Sequence, residues 1–205
     1  MPSAFPTVIR TPRLLLRAWR ATDSDALRPV LEANVAHLSP WIPPHVWSPA
    51  PLGELATRLA TFASEFADNR AWRYALFTSN ESMLLGELAL FPRDAHARVA
   101  MTDANRVEIG YWLRTDCTGH GFATEAASAA LTIVDTISRF AHAEIRCDAR
   151  NAPSAAVPLR LGFTLADTIE EPPDTEGEPP VALQIWALPL HALSRAPSSS
   201  SNSLV

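Results

Sequence analysis

The sequence predicts one mixed α/β domain built around a central sheet. Two features predict it. Short segments of alternating or continuous apolar residues, read as strands, are interleaved with longer segments whose apolar residues recur at helical spacing. Their order (strand, two helices, three strands, helix, strand, helix, two strands) is that of a sheet with helices packed on it, not of a bundle or a sandwich. A length of 205 residues with 47% apolar and 19% charged residues fits a single domain of ordinary size, and no internal repeat is visible. The expected boundaries are an N-terminal extension (1–10), one domain (11–190) and a disordered tail (191–205).

Residues 13–19, Arg-Leu-Leu-Leu-Arg-Ala-Trp, alternate well enough for a strand. Thr22-Asp23-Ser24-Asp25 then offers a cap and first-turn acids for a helix to about Asn34, with a kink or an irregular first turn expected at Pro29. Five prolines exclude regular structure from 38–51, and Trp41 and Trp47 favour an ordered loop. Leu55, Leu59, Phe62 and Phe66 give 52–69 an amphipathic helix. Trp72–Thr78 and Leu84–Phe91 flank the turn residues Ser79-Asn80-Glu81-Ser82 and read as a hairpin. After a polar arm, 92–105, come a strand at Val107–Leu113 and an alanine-rich helix at 122–140. A strand at Ala143–Ala149, a short helix at Pro153–Leu161 and closing strands at Phe163–Ile169 and Val181–Leu188 complete the order. The closing strands are joined by an acidic, proline-bearing loop.

Several function classes fall away on composition. The N-terminus lacks a basic stretch followed by an apolar core, no apolar run approaches the roughly 20 residues that span a bilayer, and a cytoplasmic location with no membrane partner is the expectation. Two cysteines, Cys117 and Cys147, lack metal-ligand spacing, so no metal is expected. A net charge of −5 with scattered arginines argues against nucleic acid. All 17 basic residues are arginine, so no side-chain amine of the protein can itself be acylated.

Of only seven glycines, two flank His120, between a strand ending near Arg114 and a helix opening near Phe122. Glycine permits left-handed backbone and close approach of a ligand. A helix N-terminus adds unpaired N–H groups and a positive dipole end, which suits phosphate. A tight strand-to-helix turn explains the same Gly-x-Gly equally well. A dinucleotide loop needs a third glycine where Thr124 stands, and a P-loop needs Gly-Lys-Ser/Thr; neither is present.

Flanking text decides the matter. Glu108-Ile109-Gly110-Tyr111-Trp112-Leu113, Gly119-His120-Gly121-Phe122-Ala123-Thr124-Glu125-Ala126, Asn151-Ala152-Pro153-Ser154 and Leu161-Gly162-Phe163 together resemble the GNAT superfamily of N-acetyltransferases. The openings Thr11-Pro12-Arg13-Leu14-Leu15-Leu16-Arg17 and Pro40-Trp41-Ile42-Pro43 resemble its ribosomal-protein (RimJ/RimL-like) branch.

The resemblance implies a GNAT fold, α/β (α+β): a mixed sheet of about six to seven strands, about four helices, and central strands that splay apart. It implies acetyl-CoA as co-substrate. Backbone around Thr118, Gly119, His120, Gly121, Phe122 and Ala123 would hold the pyrophosphate; Trp112, Leu113, Arg114 and Asn151 would contact the rest. Two departures predict weaker cofactor binding: Asp116 near the phosphates and His120 where the family often has a lysine or arginine.

For the chemistry, the resemblance points to Glu108 as base through water, with Glu87 as its substitute. Many relatives place an acidic tyrosine where this chain has Pro158. The RimJ/RimL-like branch carries instead a serine, matched by Ser154, whose other reading is a helix cap. Trp41, Trp47, Glu87 and Tyr111 are the expected acceptor contacts, although Tyr111 and Trp112 read more readily as core aromatics. A thiol in an anion loop can be activated, which leaves a covalent route through Cys117 on the page. The acceptor expected is a protein or peptide N-terminal amine. If the acidic loop 170–178 faces the site, a cationic acceptor is favoured: a protein N-terminus with basic residues or, as the alternative acceptor class, a small cationic amine such as a polyamine or aminoglycoside. A non-catalytic acyl-CoA-binding module is the competing class, and dimers are common among similar proteins.

Overall fold

Alternation along the strands sorts the sheet into two faces, and each face has its own core. In the computed structural model, which describes residues 5–137, 139–172 and 180–190, strands β1 (Val8–Arg10), β2 (Leu14–Ala18), β3 (Trp72–Thr78), β4 (Leu84–Arg93), β5 (Arg106–Leu113), β6 (His142–Asp148), β7 (Thr164–Glu171) and β8 (Val181–Pro189) form one sheet. Its order is β1-β2-β3-β4-β5-β6-β8-β7, antiparallel except for β5 with β6. On one face Leu14, Leu16, Leu88, Leu90, Val107, Ile109 and Ile145 pack against Ala126, Ala127, Ala130, Leu131 and Val134 of helix α4 (Phe122–Ile137). Small residues at helical spacing let α4 lie close to the strands. On the other face Leu15, Trp19, Ala75, Phe77 and Trp112 meet Leu27 and Leu31 of α1 (Ser24–Leu38) and Leu55, Leu59 and Phe62 of α3 (Leu52–Ala67). A short α2 (Pro44–Trp47) and α5 (Ala152–Arg160) complete the described helices.

The sheet has eight strands and the described chain five helices, more than the six to seven and four expected. One extra strand comes from the expected extension: Val8–Arg10 pairs with β2, and buried Phe5 lies against Trp72 at 4.2 Å. Three residues are too few for periodicity to register. The kink expected at Pro29 does not interrupt α1, because Pro29 lies on its exposed side and the Asp25 carbonyl it leaves unpaired faces water. Within the proline-rich loop, Pro44 at a first helical position starts the single turn α2.

One feature of the sheet positions the site. β5 and β6 pair only at Arg106↔His142, Val107↔Ala143 and Glu108↔Glu144. Beyond Glu108 the two strands diverge, and among the described residues no strand lies beside the edge of β5 from Ile109 to Leu113 on that side. On its other side β5 is held tightly to β4. A side chain at Gly86 would stand 2.0 Å from the Trp112 carbonyl oxygen, so the pairing requires glycine there. The expected tail, 191–205, lies outside the described residues, as does the middle of the acidic loop with Asp174, Glu176 and Glu178. Among the described residues no helix is long and apolar enough to cross a membrane.

Candidate active site

The gap between β5 and β6 opens into a cleft of about 990 Å³, within the size range of cofactor sites. Of the expected cofactor residues, Trp112, Leu113, Thr118, Gly119, His120, Gly121, Phe122, Ala123 and Asn151 line it. So do Ser154, Tyr111 and Trp41.

The cradle at its end is built as the glycines suggested. Gly119 and Gly121 have φ of 78° and 79°, which L side chains rarely adopt. A Cβ at Gly119 would meet nothing within 4 Å, so the backbone faces open space. The first bond of α4 is Glu125 N–H to Gly121 O, which leaves the amides of 119–124 without a backbone partner among the described residues and available to an anion; the Thr118 amide is taken by the Thr115 carbonyl. His120 stacks on Phe122 at 5.9 Å.

Arg13 joins this end of the cleft from β2's approach. It donates through Nη1 to the His120 carbonyl and through Nε to Glu125, and its guanidinium lies 4.7 Å from the Phe122 ring centre. Glu125 also accepts from the Thr11 hydroxyl. The Thr11/Arg13 segment is therefore clamped to the first turn of α4, and Arg13 sets a half-exposed positive charge beside the free amides. Its role was not assigned from the sequence. The signal was present in the Thr-Pro-Arg opening, but its partner lies 112 residues away. Arg160 of α5 lines the cleft as a second cation.

Arg114 does not line it. Arg114 forks onto Asp116, Nε and Nη2 each 2.7 Å from a carboxylate oxygen. The Arg114 side chain is therefore committed to Asp116 and lines no part of the cleft, and Asp116 is a paired acid rather than a bare charge facing phosphate. The Arg114 hydrogen bond, with its charge, holds the Asp116 carboxyl below its ordinary range. Cys117 is buried, and burial together with Asp116 pushes its thiol up, the opposite of the activation a covalent route needs.

At the opposite end, Asn151 Oδ1 accepts the Ser154 N–H at 3.2 Å, so Asn151 is the cap of α5 and Ser154 is not. The Ser154 hydroxyl is left to donate to the Tyr111 oxygen at 3.3 Å, and Tyr111 donates to the Ser154 carbonyl at 2.9 Å. Burial raises Tyr111 far above the ordinary phenol range, so it stays protonated. Two hydroxyls thus meet in the cleft although Pro158 holds the usual tyrosine position. The Cys147 thiol beside them is likewise raised by burial.

The expected bases are engaged elsewhere. Glu108 and Glu87 lie on the sheet face opposite α4 and line no part of the cleft. Glu108 bonds to Arg93 through one oxygen and Arg98 through the other. Burial pushes its carboxyl up, but the Arg98 hydrogen bond and the charges of Arg98, Arg93 and Arg146 outweigh that and hold it low. Glu87 is 3% exposed, with its oxygens on Trp19 Nε1 and Arg73, both at 2.7 Å. A carboxylate with both oxygens committed to guanidinium or indole donors is a poor proton acceptor, which counts against Glu108 as base and Glu87 as its substitute; Glu87, at 3% exposed, is also too enclosed to meet an acceptor directly. Glu144 extends the network to Arg93, Arg106 and Arg146. Trp47 does not line the cleft; it packs with Val46 and Ile42 on the core beneath α1 and α3.

The profile of the acetyltransferase (GNAT) domain matches residues 13–164. The chain belongs to the GNAT acetyltransferase family. No curated protein matches it in sequence. Among solved structures, RimL, a ribosomal L7/L12 α-N-protein acetyltransferase in complex with coenzyme A, superposes with a TM-score of 0.75 at 22% identity, over 89% of this chain and 97% of that one. RimJ of Mycobacterium smegmatis, in complex with a CoA disulfide, gives 0.75 at 21% identity, over 96% and 93%. The microcin C7 self-immunity acetyltransferase MccE, in complex with acetyl-CoA and AMP, gives 0.76 at 16%, over 91% and 98%. At these identities the likeness is one of fold. As a family member the chain is an acetyl-CoA-dependent N-acetyltransferase, and the free amides at the start of α4 with Arg13 beside them fit the cofactor's phosphates.

Proposed function

We propose that this GNAT enzyme acetylates the α-amine of a protein or peptide N-terminus directly, without an acetyl-enzyme. The observation that carries the reading is a continuous cleft that joins an anion cradle at one end to the Ser154–Tyr111 hydroxyl pair at the other. RimL and a Salmonella typhimurium acetyltransferase that modifies the N-terminal serine of ribosomal protein L7/L12 share the fold, which supports an N-terminal acceptor.

Acetyl-CoA supplies the activated thioester when bound. Amides of residues 119–123 and the Arg13 guanidinium hold its diphosphate, and the unpaired edge of β5 offers backbone groups to its amide-bearing arm. The Ser154 hydroxyl, whose single hydrogen otherwise rests on the Tyr111 oxygen, turns it to the departing sulfur. Tyr111, held protonated with its own hydrogen on the Ser154 carbonyl, fixes the backbone there, and the proton the amine loses ends on the CoA thiol. A strong base is unnecessary. A peptide α-amine has a pKa of about 7.7–8.0, so on the order of a third is already neutral near pH 7.5. Trp41, 39% exposed at the cleft edge, forms an apolar wall for the acceptor.

Release of free CoA thiol over peptides with Ser or Ala N-termini, with mass analysis placing the acetyl group, tests the reading. Acetylated α-amines are expected, and an Nα-blocked control stays silent. Tight acetyl-CoA binding without thiol release on any amine would identify a non-catalytic module instead.

A further inference from the structure

The sheet face opposite α4, where β5 turns away from β6, carries more positive than negative charge. Its connected set, joined through the Phe91 ring, holds five arginines (73, 93, 98, 106 and 146) against three glutamates (87, 108 and 144). The excess is +2 among the described residues. Arg98 is the outermost member: its side chain is 52% exposed, one edge of its guanidinium is fixed on Glu108, and its plane lies 3.5 Å from the Phe91 ring centre. Arg73 approaches the same ring at 5.0 Å.

A second, independent observation concerns hydrogen bonds. The buried side-chain polar atoms left without a partner among the described residues are Trp47 Nε1, Arg73 Nε, Arg106 Nε and Trp112 Nε1. All four are N–H donors. Strand alternation puts Arg73, Arg106 and Trp112 on this same face, and Trp47 packs onto the core there. The face is short of acceptors as well as of negative charge, and buried donors left unpaired are costly. The field extends to His45 at the start of α2, held below its ordinary range by burial and then by Arg73, Arg58 and Arg98. Above Gly110, next to Glu108 on β5, a Cβ would touch only Phe91, at 3.8 Å, so the face is open beside the mouth of the gap.

We propose that the acceptor carries an anionic group, a carboxylate or a phosphate, close to its amine, and that Arg98 receives it with Arg73 and Arg93 behind. Arg98 is on this account a specificity residue: pre-oriented by Glu108 and Phe91, it has the rest of its fork free for an oxyanion. The inference rests on the reading of the chain as an acetyltransferase of peptide α-amines, and it makes an acidic residue next to the N-terminus the preferred context.

Peptide amides that differ only in Glu or Gln at the second position test it, with free glutamate against its diamide as a second arm to separate a peptide from a small amino acid. The expected kcat/KM preference for the acidic acceptor is about tenfold or more, the scale of one charge-assisted hydrogen bond. It should be carried mainly by KM, fall to about twofold in Arg98→Gln and return in part in Arg98→Lys. Equal use of both peptides, or a preference intact in Arg98→Gln, overturns the proposal. Binding of the acetylated product peptides in the presence of CoA gives a readout free of turnover. Tighter binding of the Glu product with no acetylation of any amine would sink the proposed function and leave the anion site standing. Equal binding of the two products sinks the anion site alone.

Discussion

Glu108→Gln separates a structural carboxylate from a catalytic one, and its effect can be worked out from the contacts. Glu108 is 8% exposed and bonds to Arg93, whose side chain is 3% exposed, and to Arg98. Removing one partner of a buried pair typically costs about 3–5 kcal/mol, because the other charge is left uncompensated. Here Arg93 keeps Glu144 at 3.5 Å and Arg98 is half in water, which reduces the expected loss to about 2–3 kcal/mol. For a domain of this size that lowers Tm by roughly 4–12 °C. The pH dependence has a definite sign. The folded-state carboxyl lies below its ordinary range, so its stabilisation is complete above about pH 4.3 and is lost as pH falls through the lower folded value. The Tm gap between wild type and Glu108→Gln should be constant near neutrality and close only in acid. The acid limb of kcat/KM should keep its shape, since the acceptor amine sets it. Thermal melts from pH 3.5 to 8 and a pH–rate profile check both. A variant with wild-type Tm, a loss beyond about a hundredfold in kcat and no acid limb would refute the assignment and restore Glu108 as base.

Other outcomes follow from the cleft. Ser154→Ala should lower kcat by about ten- to a hundredfold with little change in the KM for acetyl-CoA, and adding Tyr111→Phe should cost less than the two single losses multiplied, because the hydroxyls act as a pair; full additivity in steady-state rates would count against the pair. Gly121→Ala, at φ 79°, should be strained by about 1–2 kcal/mol and raise the Kd for CoA measured by calorimetry. Arg13→Gln should weaken CoA binding several-fold and flatten its salt dependence, both read by titration at two ionic strengths. Asp116→Asn should leave CoA affinity within about twofold, since Arg114 already balances the charge.

The glycine turn between β5 and α4 was legible because its signals are local: two glycines lie between the end of a strand and the start of a helix. The positions of Ser154 and Asn151 were legible through motif spacing, and the contact between Ser154 and Tyr111 was not, since 43 residues separate them. Glu108 and Glu87 share one face of the sheet, and nothing in the pattern of their strands says what stands opposite. Arg98 arrives from the polar arm 92–105 and Arg73 from the neighbouring strand, and these long-range pairings turn two presumptive bases into ion-pair anchors. Asp116 misled for the opposite reason. Its partner Arg114 is two residues away, yet no pattern says whether a nearby arginine will fold back onto an acid or reach toward a ligand.

The brevity of the β5–β6 ladder has a consequence for the whole molecule. Three register positions join a five-strand half, β1 to β5, to a three-strand half, β6 to β8. The ion pair from Arg106 on β5 to Glu144 on β6 crosses the same line. The sheet is therefore perforated along one seam. A cofactor in the cleft would bridge β5 to Asn151 and α5, which follow β6, and so act as a splint, and at a hundred times its Kd it should add about 2.7 kcal/mol of stability. Amides along β5 and β6 should accordingly slow their hydrogen exchange most when CoA is added, and the protein's melting point should record how much cofactor the surroundings hold.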